Sequence, residues 1–205
     1  MADFEVLESV LDKDLILIEN VGPQQLHLPT PCPEYDVNML VNHIIGWLQR
    51  FESGVNGRTF DGDPGKFVSS NPVNDFRNAS AGLLAGWSKG GIERTVRLGN
   101  SDLPGKMVMS MTLTEYLTHG CDLAVATDQA VPFSEEEIAL VLERASATLG
   151  EQYRGEGKPF GHIVDVTESA PLLDRFLGFM GRQPLTVPKH IRDALGINQG
   201  GEETP

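Results

Sequence analysis

Glu115 and His119 stand four residues apart in Glu115-Tyr-Leu-Thr-His119. On an α-helix that interval puts two side chains on one face, a single turn apart and roughly 6 Å between Cβ atoms. A carboxylate and an imidazole so placed could grip one metal ion, and His43, upstream in a second amphipathic segment, could complete the set. Three protein ligands plus a position left for water or substrate is the arrangement of catalytic rather than structural metal sites. Zinc is the first choice of divalent ion, with nickel, iron or manganese as alternatives for two imidazoles and a carboxylate. Glu115 has a rival use. Thr112-x-x-Glu115 has the form of a capping box, in which the carboxylate bonds back to the first turn of its own helix. Spacing alone leaves the two uses open.

Asp122 lies one turn beyond His119 and is the best candidate for a catalytic base, or for a group that orients His119 or a bound water. The bland alternative is a polar residue on a solvated stripe. Cys121 faces away from His119 by helical phase and reads as packing. His27, in the approach to a proline-rich loop, His162, in a Gly-flanked loop, and His190, in the tail, read as solvated surface residues.

These residues need helices to hold them. Phe4, Leu7, Leu11, Leu15 and Ile18 recur at three and four, predicting a helix over residues 4–21. Three prolines in Leu28-Pro-Thr-Pro-Cys-Pro33 enforce extended backbone. Asp36 is a good N-cap for the next helix, from Val37, whose apolar stripe includes Leu40, Ile44, Leu48 and Phe51. His43 and Trp47 lie a turn apart beside that stripe. A Gly-, Pro-, Asp- and Ser-rich loop is expected over 54–73, then a third helix from Asp75 to about Ser88 ended by Gly90-Gly91. Residues 92–111 are ambiguous. Thr95–Leu98 and Lys106–Met111 both alternate like short strands, with a small hairpin near Asn100–Gly105 or plain extended connectors as the choices. A fourth helix is expected over 112–127. Ser134 and Glu137 form a capping box for a fifth, running to about Tyr153, and a last helix starts near Ser169 with Pro171 in its first turn and Gly181 past its end. Five or six helices with little strand predict an all-α bundle.

Composition narrows the partners. The chain has 205 residues, 40% hydrophobic and 22% charged, which is ordinary for one globular domain with a small appendage. A formal charge of −13 argues against nucleic acid and against an anionic membrane surface, both of which need clustered Lys and Arg. No run approaches the ~18 apolar residues of a spanning helix, and the N-terminus lacks the basic region of a secretory signal. Two cysteines are too few for a disulfide framework, so a reduced, cytoplasmic protein acting on a small molecule is expected.

Three blocks carry a family resemblance. Leu28-Pro-Thr-Pro-Cys-Pro-Glu-Tyr-Asp-Val, followed by Leu40-Val-Asn-His43, resembles the TPCPGWDV…L…H signature of the DinB/YfiT-like metalloenzymes. Thr118-His-Gly-Cys-Asp-Leu-Ala-Val-Ala-Thr127 resembles the VHGWDLAxATG segment of the branch that includes the N-terminal domain of mycothiol-dependent maleylpyruvate isomerase. Ala170 to Pro184 resembles that branch's APxLDRLLAFLGRDP ending. The blocks keep the family's order across residues 1–184.

The resemblance implies an up-down four-helix bundle with additional helices and a metal held by His43, Glu115 and His119. It also implies a low-molecular-weight thiol such as mycothiol as cosubstrate in a transfer or isomerisation, and a homodimer. Tyr35 and Cys121 stand where the family has Trp, and Asp128 where it has Gly. The isomerase carries a further domain, for which the residues beyond 184 are too few, so its own reaction is not carried over. The other readings of such a bundle are a non-catalytic metal-binding or stress-related interaction protein, and a metal sensor acting through the tail. That tail, 185–205, resembles the VTIPKxIRxxLGIKxGDE motif of AbrB/SpoVT-type DNA-binding domains; only Lys189 and Arg192 could meet phosphates, and it is read as an appendage rather than a domain.

Overall fold

The computed structural model describes residues 2–158 and 160–185. Among them are six α-helices and one two-stranded antiparallel sheet: α1 Asp3–Glu19, α2 Val37–Val55, α3 Pro72–Gly90, β1 Thr95–Leu98, β2 Ser101–Pro104, α4 Gly105–Ala126, α5 Glu135–Thr148 and α6 Leu172–Phe179. The AbrB-like motif, with Lys189, His190 and Arg192, falls outside the described residues.

α4 is the central element. It buries Val108, Met109, Thr112, Leu113, Tyr116, Leu117, Gly120 and Cys121 among others, so little of its surface meets water. α1, α2 and α5 pack on it; α3 lies against α1 and α2, and α6 against α5. The Tyr116 ring meets Phe51 of α2 and Phe76 of α3 edge-on, and its hydroxyl donates to the Ile44 carbonyl at 3.3 Å. One aromatic side chain, next in the chain to Glu115, thus ties three helices together.

Several boundaries differ from expectation. Lys106–Met111 is helix, not strand: the burial of 108, 109, 112, 113, 116 and 117 runs on at the helical period through that segment. Methionine is a good helix former, so Met-Val-Met-Ser-Met loses nothing by leaving the extended state. The hairpin pairs Leu98 with Ser101, leaving Gly99 and Asn100 as its loop. Gly99 has φ 63, the first-position conformation of a type II′ turn. The Gly105 amide donates to the Arg94 carbonyl at 2.7 Å, so the strand end satisfies an otherwise free donor at the α4 N-terminus. α3 begins at Pro72 behind an Asn71 cap, α5 ends at Thr148, and Pro171 precedes α6 rather than entering it.

The expected caps form where the chemistry is local. Asp36 accepts from the Met39 amide at 2.7 Å, and Ser134 and Glu137 exchange both capping bonds. Gly181, φ 77, is the C′ residue of α6. At the end of α4, Asp128 takes that left-handed place with φ 57. The Gln129 amide bonds the Ala124 carbonyl and the Asp128 amide the Val125 carbonyl, the Schellman pattern. An aspartate tolerates this conformation better than most side chains, which is why glycine is dispensable there.

Candidate metal centre

The continuity of α4 decides the question over Glu115. Thr112 is two turns inside the helix, and its hydroxyl donates to the Val108 carbonyl at 2.7 Å. A capping box cannot form at that depth, so the Glu115 carboxylate is free to turn toward α2. There it meets His43: Nε2 of His43 lies 2.8 Å from Oε1 of Glu115. Nε2 of His119, one turn along α4, lies 3.6 Å from the same oxygen. One ligand atom from each of the three residues falls within 4.8 Å of the others.

Both imidazoles are anchored from behind. Nδ1 of His43 is 3.0 Å from the Tyr35 hydroxyl, and Nδ1 of His119 is 3.0 Å from Oδ2 of Asp122. Held by Nδ1, each ring presents Nε2 inward, the way outer partners orient metal-ligating histidines. The rings face each other edge-on with centroids 4.9 Å apart.

The proline-rich loop sets Tyr35. The Thr30 hydroxyl sits 2.9 Å from the carbonyls of both Cys32 and Tyr35, and accepts from the Cys32 amide at 3.2 Å. The Val37 and Asn38 amides donate to the Leu28 and Leu26 carbonyls. The loop is therefore folded onto the start of α2, and its aromatic ring lies 4.8 Å from that of His43.

Behind Asp122 stands Arg182, a residue the sequence reading passed over. Its Nε and Nη2 donate to Oδ1 and Oδ2 of Asp122 at 3.2 and 2.8 Å, and its Nη1 donates to the Met180 carbonyl at 2.7 Å. Burial would push the Asp122 carboxyl up, but Arg182 and His119 together bring it down to about 2. Glu115 follows the same logic. Burial raises it, His119 and the hydrogen bond from His43 lower it, and the net displacement is downward. Both carboxylates are thus ionised at neutral pH. The Tyr35 phenol, pushed up to about 12 by burial, stays neutral. The result is one chain of contacts: Arg182, Asp122, His119, Glu115, His43, Tyr35.

The donor set fits a small divalent ion. Ligand atoms on one tetrahedral ion, each ~2.0–2.1 Å from it, lie roughly 3.3 Å apart. The separations to Glu115 of 2.8 and 3.6 Å bracket that value, and the two imidazoles, within 4.8 Å of each other, would have to draw together around an ion. Of the other candidates, Cys121 is fully buried in the core, while His27 and His162 are exposed and apart from the cluster. Among the described residues no helix is long and apolar enough to cross a membrane.

Fold and cluster together define a mostly helical protein with a His–Glu–His group able to hold a metal. The chain is 30% identical over 178 residues to "Uncharacterized protein MT0763" and to "Uncharacterized protein Rv0738", from two strains of Mycobacterium tuberculosis, covering 81% of this chain and 90% of each relative. It belongs to the family those proteins represent. No protein-family model matches the chain, and no solved structure matches it.

Proposed function

We propose that this protein binds a divalent metal, zinc first, through His43, Glu115 and His119, and uses it as a DinB-like thiol transferase or isomerase. The observation that carries the reading is the anchoring of both histidines by Nδ1, with Nε2 of each turned toward the Glu115 carboxylate. A hydrogen-bonded structural histidine needs no such arrangement on both sides. An ion of this kind supplies Lewis acidity to a thiol or water. The chain's own residues then have distinct tasks. Asp122 and Arg182 fix the His119 ring, Tyr35 fixes the His43 ring, and Glu115 provides the anionic ligand.

The packing supports a four-helix arrangement. α1 touches α3 and α4, and α2 touches the same two, so the chain-consecutive pairs α1–α2 and α3–α4 lie on the diagonals of a square rather than side by side as simple up-down order would place them. α5, α6 and the hairpin are additions to it in this reading. A small-molecule thiol such as mycothiol, a homodimeric state and a cytoplasmic setting belong to the same proposal; Cys32 and Cys121 are both free thiols.

Elemental analysis of purified protein loaded with zinc tests the site, with His119→Ala beside it. Stoichiometric zinc in the wild type and its loss in the variant are expected. Metal-free protein in both cases would end the proposal. Turnover of a low-molecular-weight thiol with an electrophile by the loaded wild type tests the enzymatic half, and zinc without any turnover would reduce the reading to metal binding alone.

A further inference from the structure

A second cluster of chemistry-bearing side chains lies further along α2. Arg50, Arg58 and Arg97 line one cleft with Gly54, Thr59 and Gly99. In a chain of net charge −13 with only 16 basic residues, three guanidinium groups around one depression run against the overall charge. They come from three separate pieces of chain: α2, the loop after it, and β1. The arrangement is therefore a product of the fold.

Their partners are unequal to them. Arg58 is paired with Glu52. Arg97 faces Asp102 at 3.6 Å, with both side chains more than 60% exposed, a contact of little strength. Arg50 has no carboxylate partner among the described residues. Its guanidinium lies 5.3 Å from the centre of the Trp47 ring, and its Nε is buried with no acceptor among the described residues. A buried donor without a partner is costly, and it marks a place where an acceptor belongs. The glycines make the room. A Cβ on Gly99 would overlap the Arg50 guanidinium, and one on Gly54 would press on the Arg97 carbonyl.

We infer that this cleft binds the oxyanion of a small molecule, a carboxylate or a phosphate, through Arg50 and Arg97. Arginine forks match both groups by paired hydrogen bonds. Beyond its open mouth the cleft has room for little more than one water-sized group, so it receives an anionic end rather than a whole molecule. The rest of the ligand has a direction to follow. His43, Trp47, Arg50 and Gly54 are spaced by four, three and four along α2 and share a face. The rise of ~1.5 Å per residue puts Arg50 roughly 10 Å along the helix from His43, with the Trp47 ring between them.

The test is titration of the full chain with inorganic phosphate, and separately with succinate, by calorimetry at low ionic strength. Each is run against sodium chloride at matched ionic strength. Binding is measured in chelator-treated protein and in His119→Ala, so failure of the metal reading and failure of this one are separable. Saturable binding of either anion is expected, weakened about tenfold in Arg97→Gln and lost in Arg50→Met with Arg97→Gln. Should the double variant fail to fold, Arg50→Lys, which keeps the charge and loses the fork, replaces it and is expected to weaken binding severalfold. A response equalled by chloride, or arginine variants that bind like wild type, would overturn the inference. Preference for phosphate or for succinate assigns the class of anion.

Discussion

Asp122 takes two hydrogen bonds from Arg182, 3.2 Å to Oδ1 and 2.8 Å to Oδ2, from a residue sixty positions further along the chain. Both side chains are almost wholly buried. The pair is therefore an ion pair in the core, and it also sets the ring of His119 through the same Oδ2. A buried pair adds little when intact but costs heavily when one member is lost.

Arg182→Met is expected to lower stability by about 3–5 kcal/mol, because it leaves the Asp122 carboxylate buried without its cation. Arg182→Met with Asp122→Leu should be nearer to wild type than Arg182→Met alone. Urea denaturation of the three proteins measures this, and a double variant less stable than the single one would contradict it.

Asp122→Asn addresses the ring as well as the fold, since it also leaves the buried Arg182 cation without its anion. It keeps the side chain's shape and weakens its hold on Nδ1 of His119. Zinc affinity is expected to fall about 10–100-fold, the usual effect of removing the partner of a ligating histidine. Tyr35→Phe should act on His43 in the same sense, with a loss of about tenfold and a change in stability below about 1 kcal/mol. Competition with a chromophoric chelator gives both constants. Equal zinc affinity in wild type and both variants would remove these two residues from the site.

How much of this could be read in advance depends on the range of the interactions. Asp36, Ser134 and Glu137 cap their helices through partners three residues away, and the sequence showed them. Glu115 and His119 were legible for the same reason, since one helical turn joins them. Met107, Met109 and Met111 alternate with other residues as a strand would, and only the burial of Val108, Met109, Thr112 and Leu113 against the rest of the fold decides for helix. The limits of α4 then decide the fate of Glu115, so a local ambiguity concealed the argument for the site. Arg182 had no local signal at all. Its position inside the family-like ending marked a segment, but nothing in the sequence placed it against Asp122. Arg50, Arg58 and Arg97 are likewise scattered in sequence and gathered only by the hairpin's packing on α2.

Asp14 supplies a pH dependence. It is buried on α1, neither carboxylate oxygen has a hydrogen-bond partner among the described residues, and burial pushes its carboxyl well above the ordinary value. The folded protein therefore keeps a proton that the unfolded chain releases above about pH 4. More protons bound in the folded state means stability falls as pH rises from there toward the folded-state pKa. Asp14→Asn, which cannot ionise, should be more stable than wild type at pH 7 by on the order of 1–3 kcal/mol. That advantage should shrink as pH approaches about 4, where both chains carry neutral groups. Denaturant midpoints at three pH values follow the difference, and an advantage independent of pH would show that charge burial is not its cause.

Gly54→Ala tests how closely the hairpin must approach α2. A Cβ at that position would lie 2.6 Å from the Arg97 carbonyl oxygen and 3.5 Å from side-chain carbons of Val96 and Leu98. A backbone oxygen cannot rotate aside, so β1 has to move away from the helix. Alanine contributes up to ~1 kcal/mol through helix propensity. Overpacking of this kind costs about 1–3 kcal/mol. The two effects leave a net loss of about 1 kcal/mol, since Gly54 sits in the last turn, where propensity counts least. Displacing β1 also carries Arg97 away from Arg50, so phosphate binding should weaken together with stability. Ser101→Ala, on the exposed side of the hairpin, should change neither. A Gly54→Ala protein as stable as wild type and equally able to bind phosphate would mean that neither the close approach nor the cleft built on it matters.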